Sequence, residues 1–183
     1  MKVKLIKGID RTFFNLLYDL YYPLLSKSHL KDKYQLTIVD KDSNKPIGIL
    51  QVNYGKNRFV QIALIPNLRQ KEIAKQIILQ FMNKANYDKL DWSASKINYP
   101  SLKLLYNLGG GIFVNSLKRK TYEGFLRKNK IVSERMRKAL EKVLPESKKL
   151  YDEWVIHEYN NRKKEKQMLS TYLRNIKSKN INE

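Results

Sequence analysis

The chain contains no cysteine, which excludes disulfides and thiolate metal sites. Its two histidines, His29 and His157, stand far apart and lack metal-ligand spacing, so both read as surface or packing residues and no metal is expected. There is no apolar run near the length of a membrane span, no signal peptide and no phosphate loop of the nucleotide-triphosphate type, which together read as a soluble, cytoplasmic protein without membrane attachment. Acidic residues are scarce as well. Lys and Arg number 37 against 17 for Asp and Glu, a net charge of +20. Such an excess attracts nucleic acid, an anionic surface or an acidic protein.

An AT-rich coding sequence would account for many of the Lys, Asn, Ile and Tyr, but not for the shortage of acids. The excess is not confined to a tail: residues 1–129 carry net +14 and residues 130–183 net +6. At 183 residues and 42% hydrophobic, the chain can build one good core and an appendage.

The most informative stretch runs from Phe59 to Gly111. Phe59 to Ile65 is uncharged and β-prone, and Pro66-Asn67 breaks it, so it reads as a strand entering a loop. Ile73, Ile77, Ile78 and Phe81 then recur at helical spacing, with Lys71, Lys75, Gln76 and Gln80 on the other face. A turn at Asn86-Tyr87-Asp88, a strand over Leu90 to Ser93 and a helix beginning at Asn98, with Pro100 near its start, complete the order strand, helix, strand, helix.

These residues resemble the GNAT N-acetyltransferases. The run Ile65-Pro66-Asn67-Leu68-Arg69-Gln70-Lys71-Glu72-Ile73-Ala74-Lys75 is similar to that family's acyl-CoA loop, with Arg69 and Ala74 matching. Asn98, Ser101, Leu105, Tyr106 and Gly109 stand at the offsets of its second motif. The resemblance covers roughly Lys2 to Lys128. It implies acetyl-CoA as cofactor, held by Ile62, Ala63 and Leu64 on the strand, by Arg69, Gln70, Lys71, Glu72, Ile73, Ala74 and Lys75 in the loop and helix start, and by Asn98 and Ser101. It also implies that Tyr106 returns a proton to the coenzyme A thiolate, for which a phenol pKa of roughly 10 is suited. Packing on an apolar helix face is the alternative role for Tyr106.

Physical chemistry supports such a loop independently. Where a strand ends and a helix begins, unpaired N–H groups and the helix dipole favour a diphosphate, and Arg69, Lys71 and Lys75 add positive charge. Gln70 and Glu72 occupy positions where the family prefers glycine. Either the Glu72 carboxylate points to solvent or the cofactor site is impaired.

The flanking elements have the order expected of the same fold. Val3 to Ile6 reads as a first strand, Arg11 to Leu25 as a helix capped by Asp10 and ended or bent by Pro23, and Tyr34 to Val39 with Ile47 to Tyr54 as a hairpin. Ile112 to Asn115 and Thr121 to Arg127 read as a closing hairpin. The expectation is an α+β GNAT fold over residues 1–129, a mixed central sheet with helices on both faces, followed by a helical extension over residues 130–183.

In the extension, Ser133 reads as an N-cap and Val132, Met136, Ala139, Leu140 and Val143 as a stripe ending near Leu144-Pro145. Pro145 is expected to start a second helix, and the polar run Asn160 to Lys166 to separate it from a last stripe of Met168, Leu169, Tyr172, Leu173 and Ile176. That last stripe reads as an arm that grips nucleic acid or a partner subunit, or else packs back on the core. Trp92 and Trp154 read as packing residues.

The strand before the loop carries no acid, and Gln61 is its nearest polar side chain. The absence points to a base elsewhere, a water relay, no catalysis at all, or an amine of low pKa, which with the net charge suggests the α-amino group of an aminoacyl-tRNA. The reading is therefore transfer of an acetyl group from acetyl-CoA to an amine of an acidic, nucleic-acid-linked or protein acceptor. The alternatives are an inactive GNAT-fold module that binds nucleic acid, RNA or tRNA included, and an interaction protein that forms a homodimer or docks on a partner through its C-terminal helices.

Overall fold

Phe13, Phe14, Leu16, Leu17, Leu20 and Tyr21 give the first helix one buried apolar face, which joins a common core with residues of the strands and of the later helices. The computed structural model describes residues 2–8, 10–24, 33–53, 60–68, 72–118 and 120–176. Helix α1 (Arg11–Tyr21) is capped by Asp10, whose carboxylate accepts from the Phe13 N–H at 3.0 Å. The helix stops before Pro23, and part of the expected extension to Leu25 lies outside the described residues.

Strands β1 (Val3–Lys7), β2 (Lys33–Asp40), β3 (Pro46–Asn53) and β4 (Val60–Leu64) form an antiparallel sheet in that order. Helix α2 (Ile73–Lys84) connects it to β5 (Lys89–Ser95). Helix α3 (Tyr99–Asn107), β6 (Gly111–Ile112) and β7 (Thr121–Arg127) follow, and β5, β7 and β6 make a second antiparallel sheet. Strands β4 and β5 share no ladder, so the sheet is parted between them. The closing hairpin is shorter than its residues suggest, because Val114–Lys118 winds into a 3-10 turn and leaves β6 two residues.

Three local features explain the placement of α3. Asn98 accepts from the Ser101 N–H at 3.3 Å as its cap, and Pro100 lies in the first turn. Gly109, at φ 80°, takes the left-handed position that ends the helix. Gly111 in β6 admits the next helix: a Cβ there would fall 2.8 Å from the Met136 Cβ.

That helix, α4 (Glu134–Trp154), runs straight through Pro145 for 21 residues, so Pro145 neither ends one helix nor starts another. A mid-helix proline costs about 3 kcal/mol in isolation. Here buried residues on both sides of it, Leu140 and Val143 before and Ser147 and Trp154 after, hold the helix to the body. A π-turn (Val155–Tyr159) and the turn at Asn160 to Arg162 lead to α5 (Lys163–Asn175). The last stripe is not a free arm. Leu169 is buried in the common core, Tyr172 stacks on Phe13 of α1 at 5.8 Å, and the Arg162 guanidinium donates to the Asp19 carbonyl.

Candidate functional site

The parting of the sheet opens a cleft, and a cavity of about 560 Å³ fills it. Its floor is β4, from Val60 to Leu64, with Trp92 and Ser93 of β5 opposite. The start of α2 supplies Glu72, Ile73, Ala74 and Lys75, and α3 supplies Asn98, Tyr99, Pro100, Ser101, Lys103, Leu104 and Asn107. Tyr21 and Leu24 close one side, and Lys148, Tyr151 and Asp152 of α4 reach in from the C-terminal helices.

Strand β4 offers this cleft a row of backbone polar groups. The Ile65 N–H donates to the Ile47 carbonyl at 2.9 Å, so Ile65 faces β3. Antiparallel strands alternate residues that face the partner with residues that face away, so Leu64, Ile62 and Val60 turn their N–H and C=O groups toward the cleft. The Tyr21 hydroxyl confirms the direction by donating to the Leu64 carbonyl at 2.8 Å. An extended chain bearing amides can pair with such an edge.

The start of α2 supplies the second element. Glu72 has φ 56°, a left-handed backbone that glycine adopts without cost. The glycine preference at this position is thus a backbone preference, and Glu72 meets it under strain. Its side chain is 67% exposed and pairs with Lys75 at 3.7 Å, so the carboxylate lies along the helix toward solvent. The Glu72 side chain does not cap the helix, and the first turn of α2, with its unpaired N–H groups, lines the cleft.

Asn98 and Ser101 line the cavity but also hold the scaffold. Asn98 Nδ2 donates to the Leu24 carbonyl at 3.2 Å, and Trp92 Nε1 donates to Ser101 Oγ at 2.9 Å. Gln61, half-buried in the cleft wall, donates through Nε2 to Gln51 Oε1 at 2.7 Å. A carboxamide takes up no proton at neutral pH, so this position supplies no base.

Of the residues expected at the site, Ile62, Ala63, Leu64, Glu72, Ile73, Ala74, Lys75, Asn98 and Ser101 all line one cavity. Arg69, Gln70 and Lys71 lie outside the described residues. Tyr106 does not line it. The α3 residues that do include Pro100, Lys103, Leu104 and Asn107, a stripe at helical spacing, and Tyr106 falls off that stripe. Its hydroxyl donates to the Glu141 carboxylate, and the Arg137 guanidinium lies 4.1 Å from its ring centroid, so it joins α3 to α4.

Sequence reasoning missed the contribution of α4. Lys148 Nζ lies 2.5 Å from an Asp152 carboxylate oxygen, a bond that raises the lysine pKa above its ordinary value. Tyr151 is the second ring of a chain that runs from Tyr99 through Trp154 and Tyr159 to Tyr21, with neighbouring centroids 5.4 to 6.4 Å apart. The aromatic spacing of Tyr151 and Trp154 was visible in the sequence, but nothing local brings it to β4.

No protein-family model and no curated protein matches the chain. Solved structures do match. A Bacillus subtilis acetyltransferase in complex with CoA aligns with a TM-score of 0.52 at 19% identity, covering 69% of this chain and 99% of that one. A GNAT family acetyltransferase from Elizabethkingia anophelis with acetyl-CoA bound gives 0.52 at 16% identity, over 68% and 97%. The PaiA N-acetyltransferase of Thermoplasma acidophilum in complex with coenzyme A gives 0.51 at 12% identity, over 69% and 99%. The fold of this chain is that of the GNAT acetyltransferases.

Proposed function

We propose that the chain is an acetyl-CoA-dependent N-acetyltransferase that uses the cleft between β4 and β5. The observation that carries this reading is the open edge of β4 inside the cavity, with the start of α2 at its end. The residues fit the cofactor: the N–H and C=O groups of Ile62 and Val60 suit the two amides of a pantetheine arm, and the first turn of α2 with Lys75 suits a diphosphate. Arg69, Gln70 and Lys71 are proposed to complete the diphosphate loop. Bound there, acetyl-CoA supplies a thioester carbonyl open to an amine. The cavity volume, about 560 Å³, suits an arm and a small acceptor group and leaves a nucleotide outside.

The acceptor is an amine, and the net charge of +20 favours one carried on RNA or on an acidic protein. With Gln61 where an acid would serve as base, an amine of low pKa such as the α-amino group of an aminoacyl-tRNA is the acceptor of choice. We assign Tyr106 to packing between α3 and α4, because its hydroxyl is committed to Glu141.

Release of free thiol from acetyl-CoA in the presence of aminoacyl-tRNA, a basic protein or a simple amine tests the reading. Acceptor-dependent release supports it. A chain that binds RNA with steep salt dependence yet binds no acetyl-CoA would instead be a nucleic-acid module on this fold, the reading that the strained Glu72 position favours.

A further inference from the structure

At the mouth of the cavity, α4 and α3 build a place for an ammonium ion, and the chain occupies it with one of its own. Lys148 Nζ lies 2.5 Å from Asp152 Oδ2 and 5.9 Å from the centroid of the Tyr99 ring. The Tyr151 ring stands beside Tyr99 at 6.4 Å, and all four residues line the cavity. A carboxylate beside aromatic faces is the combination that recognises a protonated amine, through a charge-assisted hydrogen bond and cation–π attraction.

The parts differ in how firmly they are held. Tyr151 packs on the buried Trp154, which fixes its ring, whereas the Lys148 side chain is 54% exposed and Asp152 50%. An exposed i,i+4 pair of this kind contributes little to stability, so its lysine can be displaced. Among the described cavity residues, Asp152 and Glu72 are the carboxylates, and Glu72 is turned along α2 toward Lys75.

We propose that Asp152, Tyr99 and Tyr151 form the docking site for the acceptor's ammonium group, and that Lys148 is a resident competitor which a primary amine must displace. The proposal rests on the acetyltransferase reading and assigns the C-terminal helices a role in it: α4 supplies the acceptor side of a cleft whose other walls hold the cofactor. The acceptor thereby arrives as a protonated primary amine, the form that an α-amino group with a pKa of roughly 7.7 to 8.0 also largely takes at neutral pH, and it gives its proton to solvent before it attacks. Asp152 and the two tyrosines are positioning residues for it.

Titration of n-butylammonium chloride into the full-length protein tests this, followed through the backbone amide signals of α4, with n-butanol as the uncharged control. Lys148→Met is expected to tighten butylammonium binding about threefold, since it removes the competitor and leaves the carboxylate. Lys148→Gln should do likewise, and Asp152→Asn on either background should abolish the gain. Butanol should show none of these effects. No gain in both Lys148 variants, or an equal gain for butanol, would overturn the proposal and leave Lys148–Asp152 an ordinary surface pair. The titration contains no acetyl-CoA. A chain that gains amine affinity but binds no acetyl-CoA contradicts the acetyltransferase reading alone, whereas one that binds acetyl-CoA without the gain contradicts this inference alone.

Discussion

The Tyr21 hydroxyl donates a 2.8 Å hydrogen bond to the carbonyl of Leu64, joining the end of α1 to the last residue of β4. Both residues are buried and both line the cleft. The bond ties off one of the outward carbonyls of β4 and holds α1 against the strand edge. Tyr21→Phe keeps the ring and its stacking on Tyr159 but orphans the carbonyl, which should cost about 1 to 2 kcal/mol. A thermal melt should show a fall of about 2 to 8 °C.

Glu72 is the position where backbone and charge disagree. Its left-handed φ of 56° is strained for a side chain, and its carboxylate stands at a helix start that would otherwise favour an anion. Glu72→Gly should therefore stabilise the fold by about 0.5 kcal/mol and strengthen acetyl-CoA binding about threefold. Melting and calorimetric titration of the variant check the two effects separately.

Tyr106→Phe distinguishes a packing tyrosine from a proton donor. Loss of the hydrogen bond to Glu141 should cost about 1 kcal/mol of stability while leaving acetyl transfer within about twofold of the parent. A fall in the rate of a hundredfold or more would restore Tyr106 to the chemistry.

Tyr172 couples α5 to α1 in a way that pH can probe. Burial is the main reason its pKa is pushed up to about 12, with the Asp10 carboxylate and a hydrogen bond to it adding to the effect. The folded chain thus holds this proton more tightly than the unfolded chain, in which the phenol titrates near 10. The stability it contributes is complete below pH 10 and is lost as pH rises through about 12. Denaturation followed across that window should show the decline, and Tyr172→Phe should remove this part of it.

Much of the fold was legible because the signals were local. Ile73, Ile77, Ile78 and Phe81 announced α2 by their spacing, Asn98 and Pro100 announced the start of α3, and β-prone runs bounded by turn residues located β2 to β5. The order of two motifs singled out candidate residues, of which Ile62 to Leu64, Glu72 to Lys75, Asn98 and Ser101 meet in one cavity. What failed was local reasoning overruled by packing. Pro145 looked like a break, but the burial of Leu140, Val143, Ser147 and Trp154 carries α4 through it. The meeting of Tyr99 with Tyr151 across α3 and α4 had no signature at all, since a contact between distant segments leaves no period to read. Glu72 was legible as a departure from glycine whose carboxylate could turn to solvent, as it does, though not as a residue of left-handed backbone.

Isothermal titration of acetyl-CoA into the parent chain and into Ala74→Asp tests the central claim most directly. Ala74 is half-buried at the second position of α2 and lines the cleft, so an aspartate there favours the helix dipole while repelling a diphosphate. The account predicts micromolar binding by the parent and a loss of about tenfold or more in a variant that melts no lower. No binding at millimolar acetyl-CoA, or equal affinity in the two proteins, would contradict it.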